Sequence, residues 1–312
     1  MEKQSIATAI DNNYVMPLLV MLSTAKMNSR FDFHVVIGYL KEDLSIENIS
    51  LVSAVLEILD IDFEFRSILT ENVMFNNAHI SRTSFVRLVL FEELCGVVLW
   101  LDADLVCLSN WDEVISLNLH NTKKYLVGGV VDPIVANPNF QQNSKNLAAI
   151  TMGASYFNSG VILVNCDIWK ESKMPSEWRL LASHYEEFGF QFSDQCILNY
   201  LVRDRFFLIP PSYNRILLAH PRLVSENDRI LHFAGPDKPW HYSKRSLRPF
   251  FGGVNSREIF RYISVQEKII QRVFLSNEIL GEILRRKAVS IRLKPSFFLM
   301  FKQKIVNNLF IN

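Results

Sequence analysis

The chain contains 312 residues, of which 49% are hydrophobic and 21% are charged, and its formal net charge is +1. This composition can bury a large core, which excludes an intrinsically disordered chain, and the near-neutral charge does not indicate a nucleic-acid partner. The apolar run at residues 15–22 is too short for a bilayer span of about 20 residues, and the N-terminus lacks the positive charge of a signal peptide. We therefore expect the active part of the chain to be cytoplasmic.

Basic residues are concentrated towards the C-terminal end of the sequence. Residues 255–312 contain eleven Lys or Arg against four Glu, whereas the rest of the chain carries more acidic than basic residues. Such an asymmetry indicates an anionic partner for this part only. The four cysteines are far apart and three of them lie in apolar runs, so we expect reduced, structural thiols.

Short runs of β-branched and aromatic residues alternate with helix-like stretches in the first part of the chain. We predict strands at residues 5–10, 31–40, 61–68, 97–101, 125–131 and 157–165. We predict helices at residues 15–26, 46–59 and 84–94. This order is typical of an α/β sheet covered by helices on both faces, where ligands bind beyond the carboxyl ends of the strands. The alternation stops near residue 252, so we predict a main domain at residues 1–252 and a basic, aromatic segment at residues 253–312.

Two carboxylates follow the apolar strand at residues 97–101. Asp102 and Asp104 are two positions apart, so on an extended chain their side chains point to the same side. A divalent cation stabilises two such charges, and it can also neutralise a departing nucleoside diphosphate. Two other interpretations of this motif stay open. It also occurs as a turn or helix cap, and phosphohydrolases of the haloacid dehalogenase type use the first Asp, here Asp102, as a nucleophile.

Further polar motifs lie near the ends of the predicted strands. In chain order they are Asp11-Asn12-Asn13-Tyr14, His79-Ile80-Ser81, Arg87, Asp102-Ala103-Asp104, Tyr156-Phe157-Asn158-Ser159-Gly160-Val161, Asp194-Gln195 and His232-Phe233-Ala234-Gly235-Pro236-Asp237-Lys238-Pro239-Trp240-His241. Together they resemble glycosyltransferase family 8, which contains glycogenin and bacterial lipopolysaccharide and lipooligosaccharide glucosyl- and galactosyltransferases. The resemblance runs from about residue 6 to residue 241, and the Gly-Pro-x-Lys-Pro-Trp core of the last motif is highly specific.

The resemblance implies an α/β fold of the GT-A type, a Rossmann-like mixed sheet with flanking helices, with a small basic helical C-terminal appendage. It assigns residues to three binding roles. The nucleotide would be held by Asp11, Asn13, Tyr14, His79, Gly235 and Lys238. The sugar would be held by Arg87, Asp132, Asn158, Asp194 and Gln195. The metal, Mn²⁺ or Mg²⁺, would be held by Asp102, Asp104 and His232.

The implied activity is transfer of galactose or glucose from UDP-galactose or UDP-glucose to a saccharide acceptor, with retention of the anomeric configuration. Asp194 or Gln195 is the implied catalytic residue, either by attacking the anomeric carbon or by lying beside an acceptor that approaches on the leaving-group face. Cys196 stands where many relatives carry an Asp, and we expect this difference to alter packing or specificity. A phosphohydrolase built on Asp102 and Asp104, or a nucleotide-sugar-binding protein without catalysis, are the alternatives.

The composition of the C-terminal segment predicts that it binds a membrane surface. After Glu282 the sequence has seven basic residues and no acidic one, interleaved with Phe297, Phe298 and Phe301. Cationic side chains near anionic lipid and buried aromatic rings both favour reversible membrane binding without a spanning helix. We therefore expect the protein to lie on the inner face of the cytoplasmic membrane. The acceptor that the family resemblance implies there is an oligosaccharide or lipid-linked saccharide of the lipopolysaccharide or lipooligosaccharide core.

Overall fold

The computed structural model describes residues 4–69, 71, 82–116, 125–137, 155–188, 190–203, 205–217, 224–235, 238–241 and 256–290. The strands are β1 (Gln4–Ala9), β2 (Phe33–Leu40), β3 (Asp62–Ile68), β4 (Val97–Leu101), β5 (Leu105–Cys107), β6 (Val127–Val131), β7 (Phe157–Asn165), β8 (Phe206–Leu208), β9 (Arg215–Ile216) and β10 (Ile230–His232). The α-helices are α1 (Val15–Met27), α2 (Ile46–Ile58), α3 (Val86–Glu93), α4 (Glu113–Ser116), α5 (Cys166–Glu171), α6 (Met174–Ser183), α7 (Tyr185–Phe188), α8 (Ser193–Val202), α9 (Ser256–Ser276) and α10 (Glu278–Ser290). Short 3₁₀ helices lie at Arg82–Phe85, Pro211–Tyr213 and Pro239–His241.

A seven-stranded sheet in the order β3-β2-β1-β4-β7-β6-β8 forms the centre of the fold. β1 to β4 pair in parallel, whereas β7 runs antiparallel between β4 and β6. Every residue of β7 before Asn165 is buried, as expected for a strand in the middle of a sheet covered on both faces. The predicted α/β fold with a mixed sheet and flanking helices is confirmed.

Helix α1 lies where the sequence predicts a covering helix. Its residues from Val15 to Ala25 are all buried. Pro17 falls in the first turn, where a backbone N–H has no intrahelical partner in any case, so the proline does not break the helix. The apolar run at residues 15–22 is therefore a core helix, and no helix within the described ranges is long and apolar enough to cross a membrane.

A small sheet in the order β5-β10-β9 extends the carboxyl edge of the large one. β5 begins directly after the Asp-x-Asp motif, and β10 pairs with it in antiparallel register, with His232 opposite Leu105. The backbone N–H of Phe233 also donates to the carbonyl oxygen of Asp104, at 3.1 Å. This pairing brings a histidine from a distant part of the sequence beside the second aspartate.

Helices α9 and α10 pack against the same core as the first half of the sheet. Tyr262 of α9 contacts the rings of Phe233 and Trp240, with centroid distances of 5.9 and 5.5 Å. Leu284 and Ala288 of α10 are buried in the same hydrophobic cluster. The division of the chain at residue 252 remains a prediction, but residues 256–290 share a core with the α/β part.

Candidate active site

The Asp-x-Asp motif occupies the turn between β4 and β5. The backbone N–H of Asp102 donates to the carbonyl oxygen of Gly160 on β7, at 2.9 Å, which fixes the turn to the neighbouring strand. Asp104 is buried, whereas the side chain of Asp102 is 24% exposed. One carboxylate therefore belongs to the floor of the site and the other faces the solvent-accessible side.

Asp102, Asp104 and His232 form a cluster that could hold a metal ion. One potential ligand atom from each of the three lies within 4.8 Å of the other two. Two carboxylate oxygens and an imidazole nitrogen are donors that suit Mn²⁺, and carboxylates alone suit Mg²⁺. The residues that the sequence assigns to the metal are thus brought together, and they fit such an ion.

Lys238 joins this cluster from the Gly-Pro-x-Lys-Pro-Trp motif. Its ammonium group donates to Asp104 Oδ2 and to the carbonyl oxygen of Phe233. Burial raises the pKa of the Asp104 carboxyl, but His232 and Lys238 lower it by more, so the net effect holds that pKa well below its usual range. Asp104 therefore stays ionised, and a positive charge already lies beside it.

Arg87 is a buried cation between two carboxylates. It lies in the first turn of α3, with its Nη2 2.9 Å from Asp102 Oδ1 and its Nε 2.9 Å from Asp194 Oδ2. Its Nη1 donates to the carbonyl oxygen of Ser159, at 2.6 Å, and its guanidinium lies 4.7 Å from the ring centroid of Trp100. Arg87 thus links the turn between β4 and β5 to the start of α8, where the family resemblance predicted contacts with the sugar.

Asp194 is buried beside Arg87 at the start of α8. Burial raises the pKa of its carboxyl, Arg87 lowers it in part and Asp102 raises it, with a net pKa of about 6. The contact with Arg87 is an ion pair by distance, but its geometry leaves Asp194 Oδ2 without a hydrogen bond. Burial outweighs this misaligned partner, so the pKa of the Asp194 carboxyl is raised despite the adjacent guanidinium.

Asp132, Asn158 and Gln195 form one hydrogen-bonded network on the other side of the site. Asp132 Oδ2 accepts from Asn158 Nδ2 and from Gln195 Nε2, both at 3.1 Å. Asn158 Nδ2 also donates to Gln195 Oε1, at 3.0 Å. All three side chains are buried, so the structure brings these predicted sugar-binding residues into one buried polar network.

Three of the residues predicted to hold the nucleotide, Asp11, Asn13 and Tyr14, lie just after the carboxyl end of β1. Asp11 Oδ1 accepts from the backbone N–H groups of Asn13 and Tyr14, at 2.7 and 3.2 Å, so this stretch is the turn that precedes α1. Asp11 and Tyr14 line an open cleft together with Arg87, and the rings of Tyr14 and Trp240 meet edge to face at 5.6 Å. Asn13 is exposed at the same turn, and His79 lies outside the described residues.

The cleft reaches from this turn to the aspartate motif and has a volume of about 580 Å³, including the space at its mouth. Residues from three of the predicted motifs line it: Asp11, Tyr14, Arg87, Asp102 and Asp104. Gly235 is exposed, with a φ of +91° that favours glycine. The geometry is therefore that of a cleft lined by the two aspartates of the candidate metal site and by the aromatic side chain of Tyr14.

Several residues of the site carry no signal in the sequence. The Trp100 indole N–H donates to Asp102 Oδ1 at 2.7 Å, and Asn214 contacts both His232 and Asn158 at 2.8 Å. Trp100 sits within an apolar strand and Asn214 in a short connection, so nothing in their sequence surroundings marks either as a site residue.

Comparison with known proteins decides the family. Residues 5–244 match the family model described as glycosyl transferase family 8. The chain belongs to glycosyl transferase family 8. A lipopolysaccharide 1,2-glucosyltransferase of Escherichia coli is 25% identical over 260 residues, which are 77% of this chain and 74% of that one. A lipopolysaccharide 1,3-galactosyltransferase of Salmonella typhimurium is 24% identical over 168 residues, 50% of this chain and 48% of that one.

The fold is also that of a solved galactosyltransferase. The structure of the galactosyltransferase LgtC in complex with donor and acceptor sugar analogs superposes with a TM-score of 0.64 at 24% identity, over 84% of this chain and 95% of that one. The predicted GT-A fold is therefore confirmed. Membership of family 8 also makes the chain a glycosyltransferase-family enzyme, which excludes the haloacid-dehalogenase interpretation of Asp102 and Asp104.

Proposed function

We propose that the protein is a metal-dependent, retaining hexosyltransferase that uses a UDP-hexose donor. The observation that carries this proposal is the meeting of Asp102, Asp104 and His232, two of which line a cleft together with Asp11 and Tyr14. The cation held by the first three residues would neutralise the diphosphate as it departs. A uracil ring in the same cleft would meet the face of Tyr14 and the second carboxylate oxygen of Asp11.

Lys238 and Arg87 are both cationic side chains of the site, and we assign them different roles towards the donor. Lys238 is the flexible one, and its ammonium group can turn from Asp104 towards a diphosphate at the mouth of the site. Arg87 contacts Asp102, Asp194 and the carbonyl oxygen of Ser159 and is 5% exposed, so it keeps the Asp102 side of the site in place rather than moving with the substrate. We assign the diphosphate to Lys238 and one edge of the hexose to Arg87.

Asp194 and Gln195 have different capacities at the anomeric carbon. Gln195 Oε1 already accepts hydrogen bonds from Asn158 and from the backbone N–H of Ser159, both at 3.0 Å, which makes it a poor nucleophile. Asp194 Oδ2 has no hydrogen bond in the structure and carries a negative charge once ionised. We assign Asp194 to electrostatic stabilisation of the developing sugar cation, and Gln195 to orientation of the hexose.

The acceptor is proposed from the relatives alone. One curated relative is a lipopolysaccharide 1,2-glucosyltransferase and another a lipopolysaccharide 1,3-galactosyltransferase. We therefore propose a saccharide of the lipopolysaccharide or lipooligosaccharide core as the acceptor, with glucose and galactose as the two donor candidates. A screen of both UDP-hexoses against truncated lipooligosaccharides would identify the pair, and turnover of neither donor with any of them would contradict this assignment.

Slow hydrolysis of the donor tests the proposed activity without knowledge of the acceptor. With Mn²⁺ and UDP-glucose or UDP-galactose, chromatography should show UDP release that a chelator abolishes. Asp104→Asn should lower the rate at least about 100-fold, equivalent to about 2.7 kcal/mol of transition-state stabilisation. Asp167→Asn, the same change at a half-exposed helix position, should keep the parental rate. Full activity in chelator, or equal rates in the two variants, would contradict the proposal.

We further propose that the C-terminal segment binds the inner face of the cytoplasmic membrane. Leu275, Ile279 and Ile283 are exposed at the end of α9 and on α10, and the exposed Arg286 follows three positions after the last of them. The aromatic part of the predicted segment lies outside the described residues. The observed apolar and cationic side chains support a surface that combines burial with attraction to anionic lipid.

The membrane proposal requires a truncation that leaves the core intact. A deletion that begins at residue 284 would remove the buried Leu284 and Ala288, so the truncation should begin at residue 291. Deletion of residues 291–312 should reduce sedimentation with anionic vesicles and leave donor hydrolysis unchanged. Equal sedimentation of the full chain and the truncated chain would assign another purpose to the tail.

A further inference from the structure

Asn214 is buried between two polar parts of the site. It lies at the end of the 3₁₀ helix Pro211–Tyr213, directly before β9, and it is 3% exposed. Its side-chain oxygen lies 2.8 Å from His232 Nδ1, and its amide nitrogen donates to Asn158 Oδ1 at 2.8 Å. Since β9 pairs with β10 opposite His232, the backbone holds Asn214 and the histidine at a fixed separation.

The direction of each hydrogen bond in this chain follows from groups whose roles are fixed. The backbone N–H of Ser159 can only donate, so the Gln195 atom it meets at 3.0 Å is Oε1. The backbone N–H of Gly160 likewise identifies the Asn158 atom it meets at 3.0 Å as Oδ1. Asn214 must then present its NH₂ group to Asn158 and its oxygen to the histidine.

It follows that His232 carries its proton on Nδ1. An amide oxygen can only accept, so the ring nitrogen that faces it has to be the donor. In the neutral ring the other nitrogen, Nε2, is then left with a free lone pair, and it lies 3.4 Å from Asp104 Oδ1. A histidine that binds a metal through one nitrogen commonly donates through the other, and the partner fixes both tautomer and ring orientation.

We propose that Asn214 is a positioning residue that holds His232 in the tautomer and orientation needed for cation binding through Nε2. This inference rests on the cation site of the proposed function. Asn214 also connects the cation site to the residues assigned to the hexose, because Asn158 donates hydrogen bonds to Asp132 and Gln195. A single chain of amide groups thus connects the histidine to the residues assigned to the hexose.

Two substitutions at position 214 separate the acceptor function from mere packing. Asn214→Ala removes the oxygen that receives the His232 proton, and it should weaken Mn²⁺ binding tenfold or more, as seen by electron paramagnetic resonance of free Mn²⁺. Asn214→Asp keeps an acceptor for Nδ1 and should bind Mn²⁺ within threefold of the parent. Asn165→Ala is the matched control, because it removes the side-chain N-cap of α5 and not a residue of the site. This variant should bind Mn²⁺ with the parental affinity. Unchanged binding in Asn214→Ala, or an equal loss in both variants at position 214, would overturn the proposal.

The unmodified protein gives a second and independent test. In metal-free protein at alkaline pH, ¹⁵N-histidine spectra should show His232 with its proton on Nδ1, and an Nε2–H tautomer would overturn the proposal even if Asn214→Ala failed to fold. The proposed function fails in a different way. A parent protein that neither binds Mn²⁺ nor hydrolyses a UDP-hexose would contradict the assigned activity, whereas the tautomer would still decide the role of Asn214.

Discussion

Gly160 provides the sharpest test of how the histidine is positioned. It lies on β7, and a Cβ atom added to it would fall 2.2 Å from His232 Cε1 and 2.7 Å from Nδ1. Ordinary contacts of a Cβ atom begin at about 3.4 Å. In a Gly160→Ala variant, the ring or the strand must therefore shift by more than about 1 Å, and overpacking of this kind costs about 1 to 3 kcal/mol.

The shift should damage cation binding more than it damages the fold. Protein ligands of a metal ion tolerate departures of about 0.2 Å from their usual distances, which is far less than the displacement required here. We expect Gly160→Ala to weaken Mn²⁺ binding at least tenfold, or about 1.4 kcal/mol, in a calorimetric titration. The thermal unfolding midpoint measured in chelator would report the overpacking separately.

Gly96→Ala is the matched control for this substitution. Gly96 has a φ of +67° and no atom within 4 Å of an added Cβ atom, so alanine there introduces backbone strain without a contact. This variant should lose some stability and retain the parental affinity for Mn²⁺. Parental Mn²⁺ affinity in Gly160→Ala would show that the His232 ring is free to move without consequence, and it would refute the reasoning.

Two further expectations concern single carboxylates. Between pH 4 and pH 6 the folded state keeps the Asp194 proton that the unfolded state has lost, so this group's contribution to stability falls as pH rises through about 6. Chemical denaturation should therefore show that the free energy of unfolding of Asp194→Asn, relative to that of the parent, increases by up to about 3 kcal/mol as pH rises across that window. A difference between the two proteins that does not change with pH would contradict the raised pKa. Asp11→Asn keeps an acceptor for the turn before α1 but alters the group offered to the base, so UDP binding should weaken by about 1 to 3 kcal/mol in a calorimetric titration. An unchanged affinity would remove Asp11 from the nucleotide site.

Long apolar strands were the most predictable part of the fold. The sequence predicts β4 and β7 at residues 97–101 and 157–165, and the structure has the same bounds. Their side chains are buried on both faces, so hydrophobicity alone marks where they begin and end. The small sheet was not predicted, because β5, β9 and β10 have only two or three residues each, too few for any periodicity to appear.

Some residues of the site were also predictable from the local sequence, and others were not. Asp102 and Asp104 stand out because two charges follow an apolar strand, whereas His232 alone resembles a core histidine and gains a role only through the family motif. The structure explains its position by the pairing of β10 with β5. The ion pairs of Arg87 with Asp102 and Asp194 depend on where α3 and α8 meet the sheet, which no local pattern reveals.

The contact of Lys238 with Asp104 has a consequence for the order in which ligands bind. Before any ligand arrives, the ammonium group already occupies Asp104 Oδ2, and a divalent cation has to compete with it for that carboxylate. A diphosphate offers the Lys238 ammonium group an alternative anion. Binding of the nucleotide therefore lowers the free energy needed to move that ammonium group away from Asp104. Metal and donor should therefore bind with positive cooperativity, each raising the affinity of the other by the same factor.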